Sequence, residues 1–171
     1  MSRPGDEVTV ALQTGREPRD PWRVGNRCDH GYPSVILSPS MLGDGTRFPT
    51  WAWLTCPHLV EHARAAESAG DIAGWNARLS SDAALAARLA LVEDELRAAR
   101  SRESAHGDCC GQDGIAGQRV FGHVKCLHAH AALYLAGLAD PVGEAVVVAA
   151  GATCADNRCA KLLADAGRDS A

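Results

Sequence analysis

A chain of 171 residues with 46% hydrophobic and 22% charged side chains has the composition of one ordinary globular domain, and a second full core is not expected. Lys and Arg number 17 against 21 Asp and Glu, a formal net charge of −4, which excludes the broad basic field that non-specific nucleic-acid binding needs. No apolar run of about eighteen residues occurs and the first twenty residues lack a signal-peptide core, so the expectation is a cytoplasmic protein without a membrane span.

Residues 1–20, rich in Pro, Gly and mixed charge, read as a loosely ordered N-terminal segment. Arg16, Arg19, Arg23 and Arg27 crowd its end, either as an anion site or as solvated arginines. A single domain is expected over 21–150. Within it, 32–37 reads as a strand because Val35, Ile36 and Leu37 favour extended backbone. Pro39 and Gly43-Asp44-Gly45 then signal a long loop. A second strand follows over 48–55, with Trp51, Trp53 and Thr55 on one face and Pro49 tolerable only at its start. The two strands make a β-hairpin.

Helices follow. Pro57 suits a first helical turn, and Gly70-Asp71 marks one helix stopping and another starting. Ser81 or Asp82 caps the longest helix, expected from 81 to about 102, where Leu85, Leu89, Val92 and Leu96 recur at helical spacing. Leu91 stands off that stripe. Residues 107–117 form a glycine-rich connector holding Cys109 and Cys110, with neither P-loop nor Rossmann spacing. A helix starts near Cys126 or Leu127 and runs to about Ala139. Pro141 and Gly143 break it before a last apolar segment over 145–150, and the tail 151–171 has room for one short helix. The fold class is α+β: a small β-hairpin packed beside several helices in a single domain.

Seven cysteines in a reducing compartment do not suggest a disulfide framework. Cys28 precedes the first hairpin strand and Cys56 follows the second, and in an antiparallel pair those positions share one end. Cys126 opens the later helix. If 126–130 are helical, Cys126 and His130 share a face, whereas His128 reaches the site only if Cys126 belongs to the preceding loop. Cys28, Cys56, Cys126 and His130, with His128 as the other histidine, thus form a candidate Cys₃His site for zinc or, alternatively, an iron–sulfur cluster. Other readings are buried structural cysteines or a reactive Cys126 with His128 or His130 as base. Lys125 and Arg119 flank this region as anion ligands or solvated side chains, and Trp51 and Trp53 read as core in preference to a ligand pocket.

Three phrases carry a resemblance: Cys28-Asp29-His30-Gly31-Tyr32-Pro33, Phe48-Pro49-Thr50-Trp51-Ala52-Trp53-Leu54-Thr55-Cys56-Pro57 and Val124-Lys125-Cys126-Leu127-His128-Ala129-His130. With Gly15-Arg16-Glu17-Pro18-Arg19 and Asp140-Pro141-Val142-Gly143, they resemble the actinobacterial domain of unknown function 501 family from about Leu12 to Gly143. The resemblance implies that Cys28, Cys56, Cys126 and both histidines of the third phrase belong to the family pattern. His30, His58, Cys109, Cys110, Cys154 and Cys159 fall outside it. Genes of that family lie near a septum-formation initiator and an exopolyphosphatase, which implies an unknown protein partner linked to cell division or polyphosphate metabolism. No activity carries over. Two functions are therefore expected: a metal-stabilised interaction or regulatory module, since a closed Cys₃His set leaves no open position, or a metal-dependent, iron–sulfur or thiol-based enzyme using Cys126 with His128 or His130. In the first case, replacing His130 costs more metal than replacing His128.

Overall fold

In a computed structural model, which describes residues 3–104 and 107–169, the chain forms seven α-helices around a three-stranded antiparallel sheet. Residues 1, 2, 170 and 171 of the expected terminal segments lie outside the described residues. The expected hairpin is present as β2 (Pro33–Leu37) and β3 (Ala52–Leu54), paired Val35 to Leu54 and Leu37 to Ala52. β3 is shorter than expected because residues 48–50 leave the ladder: the Phe48 N–H turns to the Ser40 carbonyl at 2.8 Å.

A strand not legible in the sequence, β1 (Arg23–Arg27), pairs with the other edge of β2. Its only β-branched residue is Val24, so pairing to the apolar β2 and not propensity creates it. Its register slips around Gly25, where a Cβ would stand 2.7 Å from Leu37 Cγ. All five residues of β2 are buried.

The N-terminal segment expected to be loose contains helix α1 (Asp6–Thr14). Docking explains it: Val10 is fully buried, and the Asp6 carboxylate accepts from both terminal nitrogens of Arg27 at 2.6 and 2.9 Å. Helix α2 (Pro57–Ala69) starts on Pro57 and ends at Gly70, whose φ of +96° turns the chain into α3 (Asp71–Ser81). Asp82 caps α4 (Ala83–Glu103) by accepting from the Ala84 and Leu85 N–H groups, each at 3.0 Å. The Leu85-Leu89-Val92-Leu96 stripe is core, and Leu91 is exposed.

The next helix, α5 (Leu127–Leu135), is shorter than expected, and α6 (Pro141–Ala150) is a helix of its own. Pro141, expected only to break, instead sits in the first turn of α6, while Asp140 caps it by accepting from Val142 and Gly143 N–H at 2.9 Å. The tail carries α7 (Arg158–Asp169), which packs on α1 and α2. One hydrophobic core joins the sheet to α2, α4, α5 and α6. No helix among the described residues is long and apolar enough to cross a membrane.

Candidate functional site

Cys126 is the N-cap of α5, with extended backbone at φ −152° and ψ 115°. It therefore belongs to the approach loop, and the four-residue helical relation to His130 does not apply. His128, two residues on, turns back toward it: Cys126 Sγ lies 3.7 Å from His128 Nδ1. Helix α2 supplies a third group. Glu67 Oε1 lies 3.0 Å from the same Nδ1 and accepts the Leu127 N–H at 2.6 Å. Glu67, Cys126 and His128 offer one donor atom each, all within 4.8 Å of one another. The other ring nitrogen, Nε2, donates to the Val60 carbonyl at 3.2 Å.

The proton balance of this trio is strongly biased. Contact with Cys126 raises the His128 pKa to about 9, burial opposes the rise, and Glu67 adds to it. Burial works against the Glu67 carboxylate as well, but His128 and the Leu127 N–H outweigh it and hold the carboxyl below its usual range. Without metal the ring is an imidazolium. Its folded pKa lies above the unfolded value of about 6.5, so its stabilisation is complete below pH 6.5 and is lost as pH rises through 9. His128 is a quarter exposed, so the contribution is on the order of 2 kcal/mol. Urea denaturation of chelator-treated protein at pH 6 and pH 9.5 should show that much shrinkage in the gap between wild type and His128→Gln. A gap that does not change with pH would remove the ion pair from the account.

Cys126 and His128 also line a cleft of about 540 Å³ between α1, β3, α2 and the loop before α5. Its charged walls are cationic, from Arg16, Arg64 and Lys125, and Trp53 adds an aromatic one. Trp53 stacks on Phe48 with centroids 5.6 Å apart, and the Arg16 guanidinium lies over the Trp53 ring, 5.6 Å from its centroid. Of the two tryptophans expected in the core, Trp51 is there and Trp53 faces the cleft. The arginine cluster expected near the N-terminus is dispersed: Arg19 pairs with Asp44, Arg23 with Glu103 and Arg27 with Asp6. Arg119 pairs with Asp113, while Lys125 reaches the Ala116 carbonyl at 3.3 Å.

The remaining expected ligands lie elsewhere. His130 is fully buried, its Nδ1 2.7 Å from Asp140 Oδ2, so its ring serves the junction of α5 and α6. Of the two histidines, it is His128 that stands beside Cys126, while His130 faces Asp140. Cys28 lies in the turn between β1 and β2, and Cys56 caps α2. Both flank the start of β2: the Cys28 N–H donates to the Tyr32 carbonyl at 3.0 Å and the Cys56 N–H to the Ser34 carbonyl at 3.4 Å. Neither joins Cys126 among the donors gathered within 4.8 Å in the described residues. Glu67 is the contributor that sequence reasoning missed. It stands 59 residues before Cys126 on another helix, and no spacing announces it.

The family described as "Protein of unknown function (DUF501)" matches residues 24–148 of this chain. No curated protein and no solved structure matches it.

Proposed function

The chain belongs to the DUF501 family, proteins of unknown function, so we propose its role from its own residues: a zinc-dependent enzyme acting on a small anionic substrate in the Arg16–Arg64–Lys125 cleft. The observation that carries this reading is the convergence of Glu67 Oε1 and Cys126 Sγ on one nitrogen, Nδ1 of His128. In a nucleophile–base relay the two ring nitrogens are divided, one to the nucleophile and one to the orienting acid. Here both partners address Nδ1, and Nε2 is anchored on a backbone carbonyl. That is how a metal-ligating histidine is held: the far N–H is tied down and the near lone pair faces the ion.

Oxygen, sulfur and nitrogen donors of this kind suit zinc. Three protein ligands, unlike a closed Cys₃His set, leave a fourth position open, which favours an enzyme over a purely structural module. A zinc ion there would supply Lewis acidity toward a substrate oxygen. The protein's own part is to bind and orient. Arg16, Arg64 and Lys125 provide the positive field for a phosphate or carboxylate group, and Trp53 shields one side of it. Glu67 keeps the Leu127 N–H and thereby fixes the first turn of α5, on which His128 is carried.

Zinc affinity tests the reading. Replacing Glu67 by Gln, Cys126 by Ser or His128 by Gln should each weaken binding by at least roughly 10- to 100-fold, the cost of losing an outer-shell partner alone, whereas His130→Gln should leave it within a few-fold once the folded fraction is corrected. Equilibrium dialysis with elemental analysis measures this. Inorganic phosphate should raise the melting temperature of wild type and not of Arg64→Ala. Zinc retention unaffected by all three ligand variants would overturn the site.

A further inference from the structure

The thiols that the site leaves out meet at the far end of the sheet. Cys28 sits in the β1–β2 turn, where its N–H donates to the Tyr32 carbonyl at 3.0 Å. Cys56 follows β3, and its N–H reaches Ser34 O at 3.4 Å across the ladder. The chain after α6 is brought back to this end by two histidines. His58, two residues past Cys56, binds the carbonyls of Ala150 and Gly151 at 2.9 and 3.2 Å. His30, two residues past Cys28, donates to the Cys154 carbonyl at 2.7 Å, and the Asp29 N–H reaches Thr153 Oγ1 at 3.3 Å. The first turn of α7 then delivers Cys159, whose sulfur accepts from Gln13 Nε2 of α1 at 3.1 Å.

Cys56, Cys154 and Cys159 are buried, Cys28 is partly so, and all four are free thiols. Their segments converge. Gln13 Nε2 reaches both the Cys159 sulfur at 3.1 Å and the Pro33 carbonyl at 2.8 Å. Pro33 is one residue from Ser34, whose carbonyl takes the Cys56 N–H, while His30 ties Cys154 to the Cys28 turn. Polar hydrogens meanwhile point at the sulfurs. The Gln13 amide serves Cys159, and the N–H groups of His58 and Leu59 act on Cys56 without completing a cap hydrogen bond. Such donors favour a thiolate, the form that binds metal, over a thiol.

We propose that Cys28, Cys56, Cys154 and Cys159 form a four-thiolate centre for a thiophilic metal, as a single zinc ion or an iron–sulfur cluster, that clamps the C-terminal segment to the sheet. Four thiolates in a crowded, desolvated group repel one another, and a cation of this kind removes the repulsion while turning ligation energy into folding energy. Cys154 and Cys159 lie beyond the family match at 24–148, and the centre is independent of Glu67, Cys126 and His128. The spacing bears on which metal it takes. Zinc–sulfur bonds of about 2.3 Å put tetrahedral sulfurs about 3.8 Å apart. No three of these sulfurs gather within 4.8 Å among the described residues. A single zinc must therefore draw them inward, whereas a polynuclear cluster spans a wider set.

The full chain, produced with iron and zinc supplied and purified without air, gives the test. Iron, zinc and acid-labile sulfide are measured with the visible spectrum for wild type, the double variant Cys154→Ser/Cys159→Ser, and Cys126→Ser. The double variant should lose all brown absorption with its iron and sulfide, or else one equivalent of colourless zinc, and Cys126→Ser should keep that metal. Equal metal in wild type and the double variant, or wild type with its four thiols metal-free or paired as disulfides, overturns the centre. Should the double variant not fold, cobalt(II) is titrated into metal-free wild type and Cys28→Ser, the least buried member. Sulfur-to-cobalt charge-transfer absorption should fall in Cys28→Ser, and an unchanged band also overturns the centre. Loss of metal in Cys126→Ser alone, with the double variant unchanged, likewise overturns the centre and assigns the metal to the Glu67–Cys126–His128 site.

Discussion

Replacing Arg100 by Met should destabilise the protein by about 3–5 kcal/mol, the range for removing one partner of a buried charge pair. The Arg100 side chain is completely buried in the last turn of α4. Its Nε donates to Asp108 Oδ2 at 3.0 Å, one terminal nitrogen to the Pro49 carbonyl at 3.0 Å, and the other to the carbonyls of Cys110 and Asp113 at 3.1 and 2.7 Å. Methionine fills much of the volume but donates nothing. The Asp108 carboxylate, only 9% exposed, is left without its cation, and three carbonyls lose their donor. Lysine should recover only part of the loss, because one ammonium cannot reproduce a planar fork aimed at both loops. In a chain of this size the melting temperature should fall by roughly 2–4 °C per kcal/mol. Denaturant titration checks it, and a change below 1 kcal/mol for Arg100→Met would mean that water or rearrangement satisfies these groups.

Arg100 also explains why the segment 107–117 is ordered around α4. Its glycines suggest a loose connector, yet Cys110, Asp113 and Ile115 are buried, and the Arg100 guanidinium holds the carbonyls of Cys110 and Asp113. Local composition reports backbone freedom and carries no information about a cation delivered from another helix. The same limit applies to β1 and α1, which exist because β2 and Arg27 are there to receive them. Features governed by local chemistry were legible: the β2–β3 pair, the Gly70 turn, the Asp82 cap and the leucine stripe of α4. The end of the sheet that Cys28 and Cys56 share was legible for the same reason: their N–H groups meet the Tyr32 and Ser34 carbonyls beside the start of β2. The Glu67–Cys126–His128 group was not, because it turns on a one-residue boundary. With Cys126 an extended N-cap, the helical spacing to His130 does not apply, and Glu67 arrives by tertiary packing that leaves no periodic trace.

Gly143→Ala should be the other severe substitution, and its consequences should reach the Cys126 cleft. A Cβ at position 143 would stand 2.1 Å from the His130 carbonyl oxygen, 2.6 Å from its carbon and 2.8 Å from Tyr134 Cβ. The obstacle is mostly backbone, so no side-chain rotation relieves it, and α5 and α6 must move apart. Overpacking a core costs roughly 1–3 kcal/mol, and more where backbone must shift. The displaced surface is not neutral. Asp140 joins the two helices, with one carboxylate oxygen capping α6 through Val142 and Gly143 N–H and the other 2.7 Å from His130 Nδ1. Separating the helices therefore strains a fully buried acid–imidazole pair as well. His128 lies on the same short helix, one turn or less from the clash, so its Nδ1 should withdraw from Glu67 and Cys126. The expected result is a loss of at least about 3 kcal/mol in stability together with zinc binding weakened in the fraction that remains folded. Stability within 0.5 kcal/mol of wild type, about the level of an ordinary surface substitution, would show that α5 and α6 can separate without penalty. A stability loss with zinc affinity intact would instead show that His128 keeps its place independently of α6.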